Sequence, residues 1–227
     1  MKKPIFGHLY AFFCMFVWGT TFVSTKVLLQ AFDTVEIFFY RTLIALVVLF
    51  AFSRMPFWKI VKGEWHFVAL GLFGNTLYFY TENQALAHAD ASVVSFLLTT
   101  APLFTAIFVS VFSKREKASP MFFVGFLVSM AGVFLVIFNG IGSVSIQPMG
   151  SLLAILAAVT WGIYSLIVKK MQDFHVQYLV VLKTFYYGMI TSIPIVFLEG
   201  SDFRSAQPFT AGMALNLVFL GVIASCL

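Results

Sequence analysis

Residues 11–26 read AFFCMFVWGTTFVSTK, and residues 154–169 read AILAAVTWGIYSLIVK on the same plan. Trp18-Gly19 corresponds to Trp161-Gly162, each in the middle of an apolar run. A lysine follows each Trp eight residues later, as Lys26 and as Lys169. A plan that recurs this far down a chain is the mark of two related halves. Where the repeated blocks are apolar spans, it points to a membrane carrier whose solute meets it between the halves.

Composition sets the class. Of 227 residues, 61% are hydrophobic and only 10% charged, with a mean hydropathy of +0.97. A soluble core of this size needs a charged shell, whereas lipid accepts Leu, Ile, Val and the 29 Phe directly. The formal charge of +5 falls mostly in alternate loops, which is a topology signal and not a nucleic-acid patch. Cys14 and Cys226 lie in apolar runs with no CxxC spacing, so they suggest neither a metal site nor a disulfide. The first apolar run is long enough to span and has no small-residue cleavage site, so it is expected to remain as a helix.

Apolar runs of about 20 residues predict eight helices, near 9–29, 35–52, 67–87, 92–113, 120–139, 150–169, 178–198 and 211 onward. The eighth reaches Leu227 without a polar flank, so the second half is expected to be truncated. Lys2 and Lys3, then Arg54, Lys59 and Lys62, then Lys114, Arg115 and Lys117, then Lys169 and Lys170 fall on one side. The other side carries Asp33, Glu36, His88, Asp90, Glu199, Asp202 and Arg204. The positive-inside rule then predicts a cytoplasmic N-terminus. The first half runs through five helices, an odd number, so the Trp18 copy and the Trp161 copy run in opposite directions. The expected fold is an all-α integral membrane protein, a helix bundle of two inverted five-helix repeats over 1–140 and 150–227, the second incomplete. The segment Gly71-Leu72-Phe73-Gly74 of the third helix matches Gly221-Val222-Ile223-Ala224 of the eighth.

The Trp-Gly pair in the first helix, Arg41 within FFYRTLIAL, Pro102 within LLTTAPLFTAI, and Glu116, Gly125 and Gly132 within KREKASPMFFVGFLVSMAGV together resemble the drug/metabolite transporter superfamily, EamA family. The likeness covers nearly the whole chain. It implies ten helices in two inverted halves and transport, usually export, of amino acids or related metabolites.

The residues nominate a site independently of that likeness. Arg41 lies about six residues, or roughly 9 Å, inside the second helix, too deep for a loop cation, and it needs a partner or a polar cavity. Lys183 in VVLKTFYYG is its counterpart from the opposite end; snorkelling to the headgroups is the alternative for both. Gly71, Asn75, Tyr78 and Glu82 follow at spacings of four, three and four, one face of one helix. Glu82 is the natural partner for Arg41, with a helix-end role as the alternative. Trp18 shares an arc with Thr21 and Thr25, and Trp161 lies beside Tyr164 and Ser165, so each repeat offers an aromatic with hydroxyls at mid-membrane; belt or packing roles are the alternative. Lys26 and Lys169 read as interface anchors. Ser92, Ser95, Thr99 and Pro102, with Gly125 and Gly132, read as packing residues, a cavity wall being the other reading of the fourth helix.

The expected substrate-binding residues are therefore Trp18, Arg41, Asn75, Tyr78, Glu82, Trp161, Tyr164 and Lys183, with no catalytic or metal-binding residue and no cofactor. Cations lead the buried charge, so the expected partner is a carboxylate-bearing small-molecule solute. The bilayer is the second partner, with a homodimer admitted and nucleic acid excluded. The expected function is a secondary transporter of the plasma membrane, exporting amino acids or similar metabolites by alternating access. A channel or scaffold is the alternative. A membrane-embedded enzyme is disfavoured, because His8, His66, His88 and His175 are scattered and no nucleotide loop or paired Asp motif occurs.

Overall fold

A computed structural model of the chain describes residues 4–53, 58–112, 117–140, 147–200 and 210–226, with residues 138–140 described by backbone alone. Lys2, Lys3, Arg54, Lys114, Arg115, Glu116, Asp202 and Arg204 from the sequence reading lie outside the described residues. Every regular element among the described residues is helical. α1 (Pro4–Leu28) and α2 (Thr34–Phe52) are followed by a rod over 64–88, made of α3 (Glu64–Gly71), a π-helical turn (Leu72–Leu77) and α4 (Tyr78–His88). Then come α5 (Ala91–Leu98), α6 (Ala101–Phe112), α7 (Pro120–Gly140), α8 (Pro148–Gln172), α9 (Gln177–Glu199) and α10 (Ala211–Val218), which runs into a second π-helical turn (Phe219–Ala224).

Six helices among the described residues are long and apolar enough to cross a membrane: 5–28, 34–52, 91–112, 120–137, 148–172 and 177–199. With the rod and the helix from Ala211, the eight expected segments are all present as helix. Large apolar side chains stand on the outer surface, such as Phe12, Phe16, Leu127 and Phe197. Water would penalise that surface and acyl chains accept it.

Three differences from the sequence reading have local causes. The third helix starts at Glu64 and not at Phe67, because Gly63 turns the chain with φ +84° and Glu64 Oε2 accepts the Val61 N–H at 2.8 Å. The fourth breaks between α5 and α6, at Thr99 and Thr100, instead of running unbroken. Pro102 has no N–H to give the turn before it, and the Thr99 and Thr100 hydroxyls bond Phe96 and Leu97 carbonyls instead, at 2.6 Å each. The fifth, α7, has no buried residue over 120–137. A Cβ added at Gly125 or Gly132 would meet nothing within 4 Å, which corrects their reading as packing residues. The contacts of α7 with the bundle include Phe96 of α5 against Phe134, and Thr99, just past α5, against Met130.

Packing fixes the ends of the bundle. At one end, the Asp33 end, α1 finishes, α2 starts from a capping box in which the Asp33 N–H bonds Glu36 Oε2 at 2.9 Å, α4 finishes and α8 starts against Ala89. At the other, the Glu64 end, Phe67 and Leu70 of α3 bury against Met171 of α8 and Val180 of α9. Nearby, Tyr178 of α9 donates to the Leu49 carbonyl of α2. α1 therefore runs toward the Asp33 end and α8 away from it.

Both π-helical turns begin at or overlap the glycine segments matched in the sequence, Gly71–Gly74 and Gly221–Ala224. Each carries a close crossing. A Cβ on Gly71 would lie 2.5 Å from the Gly188 nitrogen of α9, and one on Gly221 would lie 2.6 Å from Ile44 Cβ and 3.2 Å from the Arg41 carbonyl of α2. The rod thus leans on α9 as the helix from Ala211 leans on α2, and backbone approach this close requires glycine at the contact.

Candidate functional site

Arg41 is set by α2, whose buried face runs through Phe38, Arg41, Thr42 and Ala45 toward the rod and the second π-helical turn. Its side chain is buried. Nε donates to Ser225 Oγ at 2.9 Å, the guanidinium carbon sits 3.8 Å from the Phe79 ring centroid, and Nη1 is 3.9 Å from Glu82 Oε2. Glu82 is equally buried, and its Oε2 has no hydrogen-bond partner. The expected pair is therefore present, but held apart by about an ångström more than a charge-assisted hydrogen bond needs.

One helical turn from Glu82 toward the Glu64 end, Tyr78 meets Trp161 at a centroid distance of 4.9 Å. Trp161 also meets Tyr164 at 5.1 Å and, edge to face, Trp18 at 6.0 Å. The two Trp-Gly segments that opened the sequence reading thus touch across the molecule. Trp18 keeps 43% of its surface exposed and donates Nε1 to the Ala224 carbonyl at 3.3 Å. Gly74 makes room for Tyr164, whose ring atoms come within 2.1 Å of the position a Cβ would take. Asn75, three residues before Tyr78, is buried. Its Oδ1 accepts from Thr42 at 3.1 Å, it packs into the gap left by Gly188, and its Nδ2 has no partner.

Six of the eight named residues, Trp18, Arg41, Tyr78, Glu82, Trp161 and Tyr164, are thus linked by ring contacts and the ion pair, with Phe79 between Arg41 and Tyr78. Asn75 comes near them through Thr42, the chain neighbour of Arg41. Lys183 does not join them. Buried in α9 toward the Glu64 end, its ammonium donates to Glu64 Oε1 and, at 2.9 Å, to the Lys59 carbonyl. Tyr187 donates to the same Glu64 oxygen at 2.7 Å. Sequence reasoning missed Glu64 because it was counted with the loop. Glu64 is an acid at the start of an apolar run, two residues after Lys62, and the π-helical turn over 72–77 breaks the register that would relate it to Glu82 by spacing. Tyr187, four residues after Lys183 on α9, did carry a spacing signal. Ser225, Thr42 and Phe79 offered none beyond their neighbours.

Two cavities flank the group. One of about 620 Å³ opens at the Asp33 end and is lined by Lys26, Gln30, Asp33, Gln84 and Glu199 among others. Lys26, expected as an anchor, thus also contributes to that wall. The second, of about 460 Å³, lies between α6 and α7 with Pro102, Thr105, Lys117 and Trp161 in its lining. Pro102 therefore belongs to a cavity wall, the second reading of the fourth helix.

The model of the EamA-like transporter family matches residues 5–138 and 148–227. An uncharacterized transporter of Archaeoglobus fulgidus is 28% identical over 226 residues, covering 96% of this chain and 75% of its own length. An uncharacterized transporter of Clostridium kluyveri is 26% identical, covering 98% and 73%. A solved crystal structure shares the fold with a TM-score of 0.64 at 20% identity, over 96% of this chain and 74% of the other. The extent of the family match, together with the multi-span bundle, means that this chain belongs to the EamA-like transporter family: it is a multi-pass membrane transporter of small-molecule solutes, not an enzyme.

Proposed function

We propose that the chain is a secondary carrier that exports amino acids or related carboxylate-bearing metabolites by alternating access. In this reading it sits in the plasma membrane with its N-terminus in the cytoplasm. Residues 1–140 and 150–227 act as two inverted repeats that rock about the group between them. Opposite running directions of α1 and α8, paired π-helical turns and a family match in two segments support the inversion.

The observation that carries the proposal is the Arg41–Glu82 pair. Both side chains are buried, 3.9 Å apart, with one carboxylate oxygen unbonded and an aromatic cluster one turn away. A tightly satisfied pair would resist an incoming anion. A loose one lets Arg41 exchange an internal carboxylate for that of a solute, with Phe79, Tyr78 and Trp161 covering its apolar part.

The test is uptake of a labelled amino-acid mixture into vesicles carrying wild type, Arg41→Lys or Arg41→Ala. Arg41→Lys keeps the charge and loses the planar fork, so flux is expected to fall at least tenfold with membrane abundance retained. Unchanged flux in both variants would remove Arg41 from the site.

A further inference from the structure

The rod over 64–88 carries an acid near each end, half-buried Glu64 and buried Glu82, about 27 Å apart at 1.5 Å per residue. Their environments are opposite. Glu82 is under-satisfied. Both Glu64 oxygens are bonded: Oε1 accepts from Lys183 and from Tyr187 at 2.7 Å, Oε2 accepts the Val61 N–H at 2.8 Å, and Lys183 gives a second bond to the Lys59 carbonyl at 2.9 Å. Lys183 is 1% exposed and faces the Phe67 ring at 5.1 Å. A cavity of about 620 Å³ opens at the Asp33 end. At the Glu64 end the rod is packed onto α8 and α9 through Phe67, Leu70, Met171 and Val180, and the second cavity lies away from this contact, between α6 and α7. Between the two ends, the rod crosses α9 at Gly71 and Gly188 through a π-helical turn, a geometry that marks places where a helix yields.

From this asymmetry we infer that Glu64, Lys183 and Tyr187 form a latch that holds the Glu64 end closed in the conformer open at the Asp33 end. Reaching the opposite conformer requires that the latch break while the rod pivots at the Gly71–Gly188 crossing. The ion pair joins residues of the two segments matched by the family, one on the rod and one on α9, so it ties together the parts that must separate. It rests on the alternating-access reading, but concerns the gate and not the solute. A pair whose lysine is buried and whose carboxylate has both oxygens bonded is costly to break and gains little by partial opening, so it acts as a two-position element and not as a graded one.

The test is thiol labelling in the full chain, reconstituted in vesicles, with Cys14 and Cys226 replaced by Ser. One reporter is Thr184→Cys, a buried position beside the latch. The other is Gln84→Cys, in the lining of the open cavity. Glu64→Gln with Lys183→Met removes both charges without stranding either. Tyr187→Phe removes one hydrogen bond and keeps the ring, so it tolerates folding where the double variant does not. The latch predicts faster labelling at Thr184→Cys and slower labelling at Gln84→Cys in both backgrounds. For Tyr187→Phe the change is about fivefold, the equilibrium weight of one net hydrogen bond, and it is larger for the double variant. Exchanging the charges, Glu64→Lys with Lys183→Glu, is expected to bring both rates back toward wild type. Unchanged rates at both reporters in the Tyr187→Phe background overturn the latch whether or not wild type moves solute. A labelling shift without solute flux counts against the carrier reading alone.

Discussion

At the residue scale, two ion pairs with different degrees of satisfaction define the molecule, one buried on both sides and one with its lysine buried and its acid half-buried. Removing Arg41 alone strands the Glu82 carboxylate in a dry, aromatic setting, a loss on the order of 3–5 kcal/mol when the acid stays charged. Arg41→Ala is therefore expected to lower membrane abundance several-fold, and adding Glu82→Ala to restore it; quantifying detergent-extracted protein decides the point. If abundance in Arg41→Ala matches wild type, the pair contributes nothing to folding. The Arg41–Glu82 pairing was legible because two ionisable residues at similar depth in neighbouring spans have few other partners available. Lys183 was not, because its partner Glu64 sits where the apolar run begins and reads as loop until Gly63 is known to turn the chain.

At the scale of elements, the glycines separate into those that meet a neighbour and those that do not. Gly71 and Gly221 sit at backbone crossings, where an added methyl displaces a partner helix, and Gly→Ala there is expected to cost about 1–3 kcal/mol. Gly125, on the outward α7, meets nothing within 4 Å, so Gly125→Ala is expected to be neutral or stabilising by up to about 1 kcal/mol. Thermal unfolding in a single detergent ranks the three, and equal shifts at all of them would discard the crossings as structural contacts. Spacing alone could not tell these glycines apart. The i, i+7 pattern of Gly125 and Gly132 is that of a packing face, but which helix faces lipid is decided by long-range assembly that no local window contains. The π-helical turns were invisible for a similar reason: a helix yields an extra residue per turn where a crossing demands it, not where propensity does.

At the scale of the whole molecule, the class and the places of the eight helical segments were readable from apolar run length, because lipid imposes that length on any spanning helix. The meeting of Trp18 with Trp161 was implied by the repeat itself. The proposed orientation rests on loop charge and gives a third expected outcome. A single cysteine at Lys62 should be shielded from an impermeant thiol reagent in intact cells and one at Asp90 should react; the reverse pattern would invert the topology.

The claim that the molecule is a carrier built around Arg41 and Glu82 is tested most directly by counterflow. Vesicles holding the full chain are preloaded with an unlabelled amino-acid mixture and given the same mixture, labelled, outside. An alternating-access carrier predicts saturable uptake, accelerated several-fold by the internal load and lost when Arg41→Ala and Glu82→Ala are combined. Uptake that rises linearly with concentration, ignores the internal load and survives loss of both charges would contradict it.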